Sequence, residues 1–175
     1  MAEPAFDPAA ILAALHDAEV RFVLIGGMAA VLHGDVGVTV DIDIAPAGDP
    51  DNLERLAAAL RALDARIRAD EVPAGLPFDR SAGFLGNLGP DGILNLTTRA
   101  GALDVSFTPA GTDGYDDLRR DAVKLDAPEG VATLVASLAD IIRSKRAADR
   151  EKDRLALPRL QELLERTSTE GRRRG

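Results

Sequence analysis

Cysteine is missing from this 175-residue chain. That one absence removes disulfides, thiolate zinc sites and cysteine nucleophiles together. The only histidines are His16 and His33, too few for a histidine-rich metal site. No apolar run approaches the roughly 20 residues that a membrane-spanning helix needs. The opening stretch MAEPAFDP carries acids where a secretory signal would carry bases, so no export signal is read there. Internal repeats and an interdomain linker are also absent. The expectation is a soluble, cytoplasmic protein of one domain spanning 1–175, with a core over about 20–135 and a C-terminal helical segment over about 137–167.

With 46% hydrophobic and 29% charged residues, the chain is composed like a folded globular domain. The formal net charge is −8, which by itself argues against nucleic acid. The charge is uneven, however. Residues 143–175 hold 11 Lys/Arg against 6 Asp/Glu, leaving 10 against 23 in the other 142 residues. An acidic body with a basic C-terminal segment suits a metal site plus a phosphate-bearing partner. A solvated helix with a frayed basic tail explains the same charges.

Local patterns predict the elements. Residues 8–18 keep helical spacing after Asp7, an N-cap residue. Arg21–Ile25 reads as a short buried strand, Gly26-Gly27 as a tight turn, and Met28–His33 as a helix stopped by Gly34. Val40–Ala45 is a second strand and Pro50–Leu63 a helix. Residues 71–91, rich in Gly and Pro, read as loop with one short strand. Ile93–Thr98 and Ala102–Phe107 alternate around a turn at Arg99–Gly101 and make a β-hairpin. Residues 109–136 suggest short strands around Val123 and Val131. Ser137-Leu-Ala-Asp140 resembles a capping box and opens a helix through Lys145 and on toward Leu155. Pro158 suits the first turn of a last helix, to about Glu165.

Two aspartates stand inside the second strand, where Asp is disfavoured. Side chains alternate along a strand, so Val40, Ile42 and Ile44 share one face and Thr39, Asp41 and Asp43 the other. Carboxylates two residues apart lie about 7 Å from each other. Their repulsion becomes binding energy when a divalent cation sits between them, and Mg²⁺ prefers carboxylate oxygen. The hairpin strand repeats the pattern: Leu103, Val105 and Phe107 point one way, Asp104 and Ser106 the other. If the two strands lie close, Asp104 becomes a third carboxylate, an arrangement that can hold two Mg²⁺ for phosphoryl or nucleotidyl transfer. The bland alternative is a half-solvated sheet face.

Gly26-Gly27, between a strand and a helix, offers backbone N–H groups to phosphate. The dinucleotide fingerprint G-x-G-x-x-G is not present. In the helix from Ser137, Lys145 continues the stripe of Leu138, Ile141 and Ile142. Asp153, eight residues on, falls near the same face of a continuous helix. An inward lysine could neutralise a triphosphate, and an inward aspartate could hold that lysine or a ribose hydroxyl. Snorkelling of Lys145 and a structural salt bridge at Asp153 are the alternatives. Arg143, Arg146, Arg150 and Lys152 fall on other faces of that helix, where they could meet a nucleic acid backbone or simply be solvated.

Together, Gly26-Gly27, the D-x-D strand of Asp41 and Asp43, and the later strand acid Asp104 resemble the nucleotidyltransferase superfamily, with its DNA polymerase beta-like fold. Thr39, two residues before the first Asp, and the helical Lys145 followed by Asp153 make the chain similar to AbiEii-type toxin nucleotidyltransferases of type IV toxin–antitoxin systems. The resemblance runs from about Phe22 to Leu164. It implies an α+β fold, a mixed, mostly antiparallel sheet flanked by helices, with further helices at the C-terminus. It also implies Mg²⁺ on Asp41, Asp43 and Asp104, and NTP phosphates positioned by Gly26, Gly27, Thr39 and Lys145. Asp153 then orients Lys145 or the ribose. The acceptor it implies is a hydroxyl, first of all at the 3′ end of tRNA, and the partner a cognate antitoxin. One residue departs from the pattern: relatives often carry Arg two positions before the Thr, and this chain has Gly37.

Three other readings compete. One is NMP transfer to a protein or to a small molecule such as an aminoglycoside, suited by the acidic body. Another is a non-catalytic nucleotide-binding domain, suggested by Gly37. The third is a haloacid-type phosphatase, which wants Thr or Val where Ala45 stands.

Overall fold

The computed structural model describes residues 4–175. Residues 1–3, part of the leading stretch in which no export signal is read, lie outside it. In chain order the elements are α1 (Pro8–Asp17), β1 (Phe22–Ile25), α2 (Gly26–Leu32), β2 (Asp41–Pro46), α3 (Pro50–Ala62), β3 (Arg66–Ala69), β4 (Val72–Leu76) and α4 (Ala82–Asn87). They continue with β5 (Ile93–Thr98), β6 (Gly101–Ser106), α5 (Tyr115–Asp121), β7 (Val123–Asp126), β8 (Ala132–Val135), α6 (Leu138–Ala148) and α7 (Glu151–Arg174), with a 3-10 turn at Pro128–Gly130.

The eight strands form one sheet in the order β4-β3-β5-β6-β2-β1-β8-β7. Two pairings, β1 with β8 and β2 with β6, are parallel, and the other five are antiparallel. The architecture is therefore mixed α+β with a mostly antiparallel sheet and C-terminal helices. Among the described residues, no helix is long and apolar enough to cross a membrane.

Capping at the helix starts follows the side chains. Asp7, Asp49, Ser81 and Ser137 each accept a hydrogen bond from a backbone N–H in the first turn of the helix that follows. Each such cap contributes about 1 kcal/mol. Period-2 alternation sets the two faces of the central strands. Ile42, Ile44, Leu103 and Val105 are fully buried in a core shared with Ile11, Leu12 and Leu15 of α1 and Leu56 and Leu60 of α3. Asp41, Asp43, Asp104 and Ser106, on the opposite face, stay only partly covered. Asn52 is buried and ties α3 to the sheet, donating to the carbonyls of Arg21 and Ala47 and accepting from Arg21 N.

The structure departs from the local patterns in several places, and α7 runs to Arg174, past the expected end of the last helix near Glu165. Residues 66–69 form a strand where none was expected. Residues 82–87, read as loop, form α4, whose six residues include two glycines and are too few to show helical periodicity. Residues 115–121 form α5 within the stretch where only short strands are expected, and its seven residues are likewise too few to show the period. Finally, the C-terminal helices divide at Asp149–Arg150 and not near Pro158. Asp149 is left-handed (φ 50°), which Asp tolerates, and Arg150 is extended. Pro158 lies well inside α7, where its φ fits a helix and the cost is a lost backbone bond plus the crowding of its ring against the carbonyl one turn back. Burial of Leu160 and Leu163 in the next turns holds that stretch against the body.

Candidate active site

The parallel pairing of β2 with β6 brings the acids together. Asp43 stands opposite Asp104, and Asp41 opposite Ala102. Neighbouring strands lie about 4.8 Å apart and registered residues share a face. One carboxylate oxygen from each of Asp41, Asp43 and Asp104 lies within 4.8 Å of the others. Neither sequence proximity nor any spacing rule brings residue 104 to residue 43; the parallel register does.

Such closeness changes the chemistry of the acids. Burial pushes the Asp43 carboxyl up to about 7, and the charges of Asp41 and Asp104 push the same way, against the pull of Lys152 and Lys145. Asp104 is also raised, chiefly by burial, with the Arg68 guanidinium opposing. Carboxylates held this close favour either a proton or a cation among them. Three oxygen donors of this kind suit a hard divalent cation such as Mg²⁺.

The two glycines are explained by the side chains they face, Asp43 and Thr39. Gly26 opens α2 at φ +70°, and a Cβ there would lie 2.4 Å from Asp43 Oδ2. A Cβ on Gly27 would meet Thr39 Oγ1 at 3.0 Å. The pair is therefore the start of a helix and not a separate turn. No side chain caps the first N–H groups of α2. Thr39 precedes β2 and donates from Oγ1 to the Asp41 carbonyl and to Asp41 Oδ1, both at 3.2 Å, which fixes the direction of that carboxylate.

Lys145 and Asp153 also meet, although not along one helix. Lys145 Nζ lies 3.4 Å from Asp153 Oδ1 across the break between α6 and α7. Asp153 is fully buried, and Arg150 closes it with Nε–Oδ2 at 2.7 Å. The Arg150 hydrogen bond and the charges of Arg150 and Lys145 outweigh burial and hold Asp153 below the usual carboxylate range.

A cavity of about 320 Å³ opens beside the acids, lined in part by Asp43, Asp104, Asn95, Ser144, Lys145 and Arg150. Three basic residues reach this region that the pattern did not place there. The pattern puts Arg150 and Lys152 on other helix faces, but the break at Asp149 resets the helical phase, and their charges act on the acids while both side chains stay exposed. Arg68, from a strand that local patterning missed, bonds Asp104 Oδ1 at 2.8 Å. Arg143 goes the other way: it is engaged with Asp117 and Asp140, each at 2.9 Å, and links α5 to α6.

Position 37 has an arginine beside it after all. A Cβ on Gly37 would lie 2.7 Å from Asp35 Oδ2 and 3.0 Å from Arg159 Nη2, so the Asp35–Arg159 pair fills the space in which a side chain at 37 would begin. Both histidines face structural partners: His33 Nε2 is 2.8 Å from the Ala136 carbonyl, and His16 Nε2 is 3.3 Å from Thr133 Oγ1. No protein-family model and no curated protein matches this chain.

Proposed function

We infer that this protein is a nucleotidyltransferase that moves an NMP from an NTP to an acceptor hydroxyl, on a fold of the DNA polymerase beta type. The observation that carries the reading is the acid triad Asp41, Asp43 and Asp104, set on two parallel strands beside a cavity with basic side chains. Two divalent cations such as Mg²⁺, one on Asp41 and Asp43 and a second whose ligands Asp104 would complete, would supply charge neutralisation for a triphosphate at the reacting phosphorus.

The chain's own residues then divide the work. Asp41, aimed by Thr39, and Asp43 hold the phosphate side. Asp104 serves the acceptor side, and the proton that the acceptor hydroxyl loses passes to solvent there. The acceptor oxygen forms a bond to the α-phosphorus as the bond to the β-phosphate oxygen breaks, and pyrophosphate leaves. Lys145, anchored by Asp153, balances the charge of that leaving group, with Arg150 and Lys152 beside it. The N–H groups of Gly26 and Gly27 contribute further donors to phosphate oxygen.

RNA, with a tRNA 3′ end first, is the acceptor class this reading takes. Its support is the exposed basic end of α7, with Arg166 and Arg172 to Arg174 outside the core. A toxin of this kind implies an antitoxin as its partner in the cell. The test is incubation with Mg²⁺, each labelled NTP in turn and total tRNA, with Asp41→Ala alongside. Label on tRNA with wild type only supports the whole reading. Label on protein moves the assignment to NMP transfer onto a protein. NTP binding without any label leaves a non-catalytic nucleotide-binding domain.

A further inference from the structure

The acid triad is crossed by one row of residues. Ile25, Asp43, Asp104 and Asn95 are register partners on β1, β2, β6 and β5. Ile67 of β3 pairs with Leu96, and the next residue, Arg68, follows it beside the end of that row. Its side chain reaches across β5 to β6. The Nη2 group donates to the Leu96 carbonyl at 2.9 Å and to Asp104 Oδ1 at 2.8 Å. Asp41 is bonded by the neutral Thr39 hydroxyl. Among the described residues, Arg68 is the one cationic side chain hydrogen-bonded to the triad.

We propose that Arg68 is a displaceable counter-ion that competes with the second divalent cation for Asp104. The proposal rests on the metal reading of the triad under Proposed function and adds a residue that controls it. Two geometric facts favour competition over simple support. The guanidinium takes an oxygen of the one acid that the second cation position depends on, and its positive charge repels any cation approaching that oxygen. The Arg68 side chain is also 37% exposed, so it can turn to water once displaced. Its backbone-carbonyl bond is the other interaction it gives up, and water replaces such a bond at an exposed site at little cost. The first cation position, between Asp41 and Asp43, needs no such displacement. The two positions therefore fill in sequence, with the Asp104 side filling last.

A Mn²⁺ titration of the EDTA-treated full-length protein tests this, reading free Mn²⁺ by electron paramagnetic resonance at low ionic strength. In Arg68→Gln the weaker binding step should tighten by roughly three- to tenfold, the scale of one partly exposed charge-assisted pair. The gain should shrink in high salt and disappear when Asp104→Asn is added. Arg68→Met, which keeps the apolar stem, should show the same gain and serves if Arg68→Gln does not fold. Unchanged or weaker binding in the folded Arg68 variants overturns the proposal, because Arg68 would then be supporting Asp104. Should that occur while Asp41→Ala still abolishes the binding seen in wild type, the metal reading survives and only the competition fails. If folded wild type and Arg68→Gln both bind no Mn²⁺, the metal reading falls and this inference with it.

Discussion

Lys145 and Asp153 form an ion pair across a helix break, with Nζ 3.4 Å from Oδ1 and the carboxylate fully buried. The break at Asp149 lets Asp153 act at once as the N3 residue of α7, accepting from Arg150 N at 3.2 Å, and as the anchor of Lys145. One side chain thus fixes both the angle between two helices and the position of a lysine beside the acid triad.

Asp153→Ala should destabilise the fold by about 2–4 kcal/mol, because Arg150 and Lys145 are left facing a buried gap. Urea denaturation at pH 7 measures this. Since the folded carboxyl is held below its ordinary value, its contribution is complete above about pH 4 and fades as pH falls through the folded value. The wild-type advantage over Asp153→Ala should narrow below about pH 4. A difference under about 0.5 kcal/mol at pH 7 would contradict the anchoring role.

Asp43 predicts the opposite slope. An acid raised to about 7 holds its proton more tightly when folded than when unfolded. Metal-free protein should therefore become less stable as pH rises from about 4 to about 7, then level off. Asp43→Asn in EDTA should be more stable than wild type by roughly 2–4 kcal/mol at about pH 8, and no more stable at about pH 4. Added Mg²⁺ should raise the melting temperature of wild type at the higher pH and leave Asp43→Asn unmoved.

Gly26→Ala tests the approach of α2 to the acids. Its methyl would overlap Asp43 Oδ2 at a backbone φ that alanine disfavours. A destabilisation of roughly 2–4 kcal/mol is expected, along with weaker Mn²⁺ binding, as Asp43 is pushed aside. A variant as stable as wild type, with intact Mn²⁺ binding, would show that the helix start can retreat.

The end of α7 should matter for RNA and not for folding. Residues 166–175 are exposed. Ending the chain after Glu165 should change stability by less than about 0.5 kcal/mol. By fluorescence anisotropy, the same truncation should weaken tRNA binding and flatten its dependence on salt, by about one unit of slope for each phosphate no longer neutralised. Equal affinity and slope would place the RNA surface elsewhere.

What the sequence determined by itself is local. Asp7 and Ser137 marked helix starts because a cap bonds only two or three residues ahead. The alternation in β2, β5 and β6 assigned faces because the strand period is two, and it put Asp41, Asp43 and Asp104 on polar faces before any pairing was known. The D-x-D strand was legible for that reason, as was the inward stripe ending in Lys145. The tertiary structure decided which strands became neighbours, and so whether Asp104 stood near Asp43 at all. It also decided where the last helices divide. Local pattern favoured Pro158, but the break stands at Asp149, where Asp153 is buried against Arg150 and Lys145, and it brings the charges of the exposed Arg150 and Lys152 near the acids. Arg68 was beyond any local rule, since its alternating strand is only four residues long and its bond to Asp104 reaches across the intervening strand β5. Periodicity and capping act within a few residues along the chain, whereas register, helix phase after a break and side-chain reach are set by packing between segments far apart in sequence.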